Sequence, residues 1–91
     1  MPRYIVERSF GDGFDLPVGS AGVDVCRGLI ETNEEVGVTW IHSYVRDDHR
    51  AMLCVYDAPT PEAIRRVAER NKLPVDRITE VRVLAPYYFY R

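Results

Sequence analysis

Ninety-one residues with a formal net charge of −2 bound a single domain with room for one modest core. That charge argues against binding a phosphate backbone, which needs a basic patch. No apolar run approaches the roughly 20 residues that span a bilayer. The start, Met1-Pro2-Arg3-Tyr4-Ile5-Val6-Glu7, lacks the apolar region of a signal peptide, so a cytoplasmic protein is expected, with no nucleic-acid or membrane partner. Cys26 and Cys54 show no metal-knuckle or CxxC spacing and read as buried thiols.

Arg3 to Ser9 reads as the first strand, with Tyr4-Ile5-Val6 as its β-prone centre. Gly11, Gly13 and Pro17 then break the chain. Residues 20–35 read as a helix whose stripe is Val25, Cys26, Leu29 and Ile30, closed by Val36. Gly22 and Gly28 weaken it by about 1 kcal/mol each, and Gly37 is placed as its C-cap. The second strand is expected at Val38 to Arg46 and the third at Arg50 to Asp57. Thr60-Pro61-Glu62 has the signature of a helix start: an N-cap hydroxyl, proline at the first position and an early acid. That helix is expected to run to about Lys72 with Ile64, Val67 and Ala68 inward, and Pro74 stops it. The fourth strand is Arg77 to Leu84, and Pro86 opens an aromatic tail over 86–91.

The order β-α-β-β-α-β predicts one α+β domain over residues 1–91, a ferredoxin-like sandwich. Its antiparallel sheet should run in the order 4-1-3-2, with both helices on one face and the other face open. The first helix is mainly acidic and the second mainly basic, which reads as two solvated helix faces.

Side chains alternate across a strand. In Trp40-Ile41-His42-Ser43-Tyr44-Val45 an indole, an imidazole and a phenol therefore share one face. The hairpin loop decides what joins them. A two-residue loop pairs His42 with Leu53. A three-residue loop, Asp47-Asp48-His49, pairs Trp40 with Tyr56, His42 with Cys54 and Tyr44 with Met52. A five-residue loop gives that same facing. The odd loop gathers Ile41, Ser43, Val45, Ala51, Leu53 and Val55 into one aliphatic core face and is preferred, although His49 would take a left-handed position that favours glycine. If Val6 faces the helices, Glu7 joins His42 and Cys54 on the open face. A carboxylate, an imidazole and a thiolate form a ligand set for nickel, zinc or copper. Trp40, Tyr44 and Tyr56 would line a ligand site or an interface beside it. The bland alternative pairs Glu7 with an arginine such as Arg82, makes Cys54 an apolar filler, and puts His42 at a dimer seam.

No Ser-His-Asp set, phosphate loop or HExxH motif is present, and no catalytic residue is assigned. Tyr4-Ile5-Val6-Glu7-Arg8, Trp40-x-His42-Ser43-Tyr44-Val45, Cys54-Val55-Tyr56-x-Ala58-Pro59 and Leu73-Pro74-Val75-Asp76-Arg77-Ile78-Thr79-Glu80-Val81 together resemble the small bacterial DUF4242 proteins, which include a nickel-binding actinobacterial member. The resemblance spans nearly the whole chain. It implies a ferredoxin-like fold, oligomerisation and nickel binding. Members often carry a histidine near the positions of Ala68 to Arg70, and this chain has none.

The resulting expectation is a homodimer, joined through its aromatic open face, that holds nickel or another divalent transition metal. A cofactor-free isomerase or monooxygenase of the dimeric α/β barrel type and a purely structural dimer are the alternatives. The barrel analogy rests on fold alone.

Overall fold

The computed structural model describes residues 1–15 and 19–87. The elements run β1 (Arg3–Ser9), α1 (Ser20–Glu34), β2 (Thr39–Val45), β3 (Ala51–Asp57), α2 (Pro61–Arg70) and β4 (Arg77–Val81). The strands form one antiparallel sheet in the order β2-β3-β1-β4, the expected ferredoxin-like arrangement. Strand β4 stops at Val81 rather than Leu84. Residues 88–91 of the aromatic tail lie outside the described residues.

Both helices pack on the same side. Tyr4 and Val6 of β1 and Cys54 and Tyr56 of β3 are buried against Ala63, Ile64 and Val67 of α2. Helix α1 lies beside α2, where Arg70 Nη1 meets Glu35 Oε2 at 2.9 Å and Asn71 Nδ2 donates to Asn33 Oδ1 at 3.4 Å. Gly37 takes φ +73 and donates its N–H to the Glu34 carbonyl at 3.1 Å, closing α1 with the left-handed residue that glycine accepts without strain.

The two helices are anchored unequally. The apolar stripe of α2 (Ala63, Ile64, Val67, Ala68) is buried. Along α1 only Gly22 and Asn33 are buried, while Val23, Val25 and Ile30 are exposed. The stripe expected on α1 is therefore only partly covered, because the helix stands over the β2 side of the sheet without closing onto it.

The hairpin corrects two expectations. Val45 lies opposite Met52, so an even number of residues joins them, not an odd one. A β-bulge between Trp40 and His42 then changes the register along β2: Trp40 is opposite Tyr56, but His42 is opposite Val55 and Tyr44 opposite Leu53. A bulge adds one residue to one strand, so the alternation of faces slips there. Trp40 therefore parts from His42 and Tyr44. Trp40 packs against the core under the helices, and its Nε1 donates to Ser43 Oγ at 2.9 Å. The core face of β3 is Met52, Cys54 and Tyr56. The expected aliphatic face, Ala51, Leu53 and Val55, turns to the open side.

His49 takes the left-handed conformation (φ 60), with its N–H donating to the Arg46 carbonyl at 2.8 Å. Asp48 closes the turn: its carboxylate accepts from Arg46 Nε at 2.8 Å and from the Arg50 backbone N–H at 2.9 Å.

Two predictions follow from this packing and capping. Thr60 Oγ1 accepts from the Ala63 N–H at 3.2 Å, so Thr60→Ala should destabilise the fold by about 1 kcal/mol. Ile64→Ala, which empties a fully buried site, should cost about 2–5 kcal/mol, both read from urea unfolding. The Arg46 hydrogen bond, with the Arg50 N–H, holds the Asp48 carboxyl down at about 2. The turn's contribution is then fully present above the ordinary aspartate value of about 3.9 and is lost as pH falls toward the depressed value. An NMR titration of the Asp48 side chain should show that low midpoint, and Arg46→Ala should move it upward.

Candidate functional site

The open face of the sheet is read from the registers. One row runs Tyr44, Leu53, Glu7, Arg77, and the next runs His42, Val55, Ile5, Thr79. A third holds Asp57, Arg3 and Val81. There Arg3 Nε and Nη2 reach the two Asp57 carboxylate oxygens at 2.8 and 3.2 Å. This hydrogen bond holds the Asp57 carboxyl below its ordinary range.

Tyr44 is 64% exposed, and Leu53 and Ile41 are also exposed. The His42 ring meets the Tyr44 ring edge-on, with centroids 5.0 Å apart. Glu7 has Arg77 Nε at 3.7 Å, a loose and largely solvated pair. The arginine facing Glu7 is thus Arg77, not the Arg82 considered from sequence.

Of the three expected metal ligands, the fold brings two to one face. Glu7 and His42 both lie on the open side. Cys54 sits opposite Val6 and Ser43, 2% exposed, in the core beneath the helices. An expected Glu7–His42–Cys54 cluster is therefore not formed, because the bulge and the even turn put His42 and Cys54 on opposite faces. Glu7 and His42 are themselves two strands and one row apart, roughly 12 Å between Cα atoms at normal strand spacings. Among the described residues, no three His, Cys, Asp or Glu side chains come together as a metal group. The donors of one chain thus do not fit a complete metal shell. The expected aromatic trio is divided in the same way: Tyr44 is on the open face, and Trp40 and Tyr56 are beneath the helices.

Beneath the helices lies a residue that sequence reading passed over. Arg8 continues the alternation of Tyr4 and Val6 into the core and is 2% exposed. Its Nη1 donates to the Pro74 carbonyl at 2.7 Å and its Nη2 to the Tyr56 hydroxyl at 3.1 Å. Burial pushes the Tyr56 phenol upward, against the opposing pull of Arg8, so Tyr56 stays a neutral partner near pH 7. The alternation Tyr4-x-Val6-x-Arg8 was the signal that could have marked this arginine as buried.

These features define the class: a ferredoxin-like sandwich with one helix-covered face and one open, partly apolar face. The sequence matches the family model described as "Nickel responsive protein SCO4226-like" over residues 4–81, and the chain belongs to that family. The DUF4242 name remains a resemblance beside it. Among solved structures, the crystal structure of SCO4226 from Streptomyces coelicolor A3(2) is similar, with a TM-score of 0.70 and 19% identity over 91% of this chain and 99% of that one. At that identity the likeness speaks for the fold. No protein of curated function matches the sequence. Among the described residues no helix is long and apolar enough to cross a membrane.

The division of the two faces has a chemical readout. Cys54 is buried and Cys26 is half-exposed. In the native protein a water-soluble thiol reagent should modify Cys26 first and Cys54 more slowly, because Cys54 is 2% exposed. Mass mapping of the labelled peptides would check this; Cys54 labelled as fast as Cys26 would contradict its burial.

Proposed function

We propose that this protein binds nickel between two copies that meet through their open sheet faces, with His42 as the principal donor. The observation that carries the reading is the position of His42. It stands exposed against Tyr44, on a face that also presents Leu53 and Ile41, within a family described as nickel-responsive. A single chain supplies too few converging donors, and a twofold interface doubles each of them. Imidazole nitrogen is a borderline-soft donor suited to nickel, and Glu7 adds a carboxylate on the same face. Apolar side chains between the donors favour association by leaving water. Metal capture and dimerisation are then one linked equilibrium, since a ligand that binds only the dimer stabilises it.

Sedimentation velocity with and without nickel, beside calorimetry, tests this. The wild type should shift toward dimer as nickel is added. Binding should weaken as pH falls, because the proton competes with the metal for the imidazole. His42→Ala should lose most of the affinity and the nickel-driven shift, whereas His49→Ala in the hairpin turn should keep both. Equal nickel binding by wild type and His42→Ala would refute the assignment.

A further inference from the structure

The partly lifted position of α1 leaves a cavity of about 490 Å³ between that helix and the sheet. Its wall is mainly apolar: Phe10, Phe14, Leu29, Trp40, Met52 and Leu73 all contribute. Arg8 belongs to the same wall. Its Nε is buried and has no hydrogen-bond partner among the described residues. Nor does any described carboxylate form an ion pair with it. Asp15 also borders the cavity, at an exposed position, and is not among those pairs.

A guanidinium in such surroundings is half-satisfied. Two of its nitrogens meet neutral oxygens, the Pro74 carbonyl and the Tyr56 hydroxyl, which accept hydrogen bonds but do not balance the charge. A buried cation without a counter-ion is costly, and buried charges are normally paired. Arginine cannot escape that cost by losing its proton. A planar fork with an unused donor also matches a carboxylate in shape and charge. The volume lies within the range of small-molecule pockets, which are typically apolar with a few placed polar groups.

We infer that the cavity under α1 is a binding site for a small apolar monocarboxylate, whose carboxylate is received by Arg8 and whose hydrocarbon or aromatic body lies among Phe10, Phe14, Leu29 and Trp40. This site is on the opposite side of the sheet from His42 and is independent of the metal reading. The ligand neutralises Arg8, fills the space that α1 leaves, and fixes the helix that is least anchored in the apoprotein.

Trp40 is the one tryptophan of the chain and stands in the cavity wall, so it reports occupancy directly. Octanoate and phenylacetate should each change its emission saturably and raise the thermal midpoint. The matched alcohols, 1-octanol and 2-phenylethanol, should bind weaker by roughly thirtyfold or more, the loss typical of leaving one member of a buried charge pair alone. Arg8→Met should remove the preference for acid over alcohol. His42→Ala should bind the acids as the wild type does, which separates this site from the nickel site. The proposal is overturned if acid and alcohol bind wild type equally, if Arg8→Met keeps the acid preference, or if neither acid binds at millimolar concentration. The acid–alcohol comparison on wild type stands even if Arg8→Met does not fold.

Discussion

The pairing of β1 with β3, which sets Val6 opposite Cys54 and Tyr4 opposite Tyr56, is the constraint on which the rest of the molecule depends. These are the two central strands, and their shared face receives Ala63, Ile64 and Val67 of α2. Once that face is fixed, alternation sends Ile5, Glu7, Leu53 and Val55 to the other side. Shifting the register by one residue would drive Glu7 into the core and expel Val6. The strength of α2 as an anchor follows from its short, well-capped, amphipathic build. Its stripe is narrow and wholly used, so little apolar surface is left to choose another packing.

Arg8 is the cost of extending that pattern by one residue. A methionine or leucine there would extend the apolar face but would leave the Pro74 carbonyl and the Tyr56 hydroxyl without this donor. The guanidinium does satisfy the Pro74 carbonyl and the Tyr56 hydroxyl, but these neutral acceptors leave its charge unbalanced. The same strand end faces the side of the sheet that α1 covers loosely, so the charge and the space coincide. Each would be a defect in isolation: an orphaned donor on one hand, an unfilled apolar volume on the other. Together they are complementary to one kind of molecule.

The legibility of the sequence divides along the same line. Local chemistry exposed the elements: the Thr60-Pro61 start of α2, the Gly37 stop of α1 and the β-prone centre of β1 all lie where composition put them. The topology followed from element order. What failed was the assignment of faces in β2 and β3. Both alternating sets there are largely apolar: Ala51, Leu53 and Val55 against Met52, Cys54 and Tyr56. Periodicity therefore shows that the strand alternates without saying which set the helices cover. The bulge at Ile41 carries no glycine or proline to announce it, and it separated Trp40 from His42. The candidate site was correspondingly half-readable: Glu7, His42 and Tyr44 share a face, while Cys54, Trp40 and Tyr56 belong to the other.

That division makes the sheet a partition between two chemistries. On the open side the donors are exposed, spaced too widely for one chain to chelate with, and accompanied by apolar residues that water solvates poorly. On the covered side Arg8 sits in largely apolar space under a lightly held helix. The strands between them are tightly paired and carry side chains of both faces on one backbone, as with Glu7 and Arg8 on β1. Trp40 stands in the wall of the cavity under α1, on the core side of the bulge, with His42 on the other face. The bulge between Trp40 and His42 lies on β2, an edge strand paired only with β3, and it is where the side chains of the two faces part. A bulge re-aims side chains, and here it sends the indole under the helices and the imidazole to the open side.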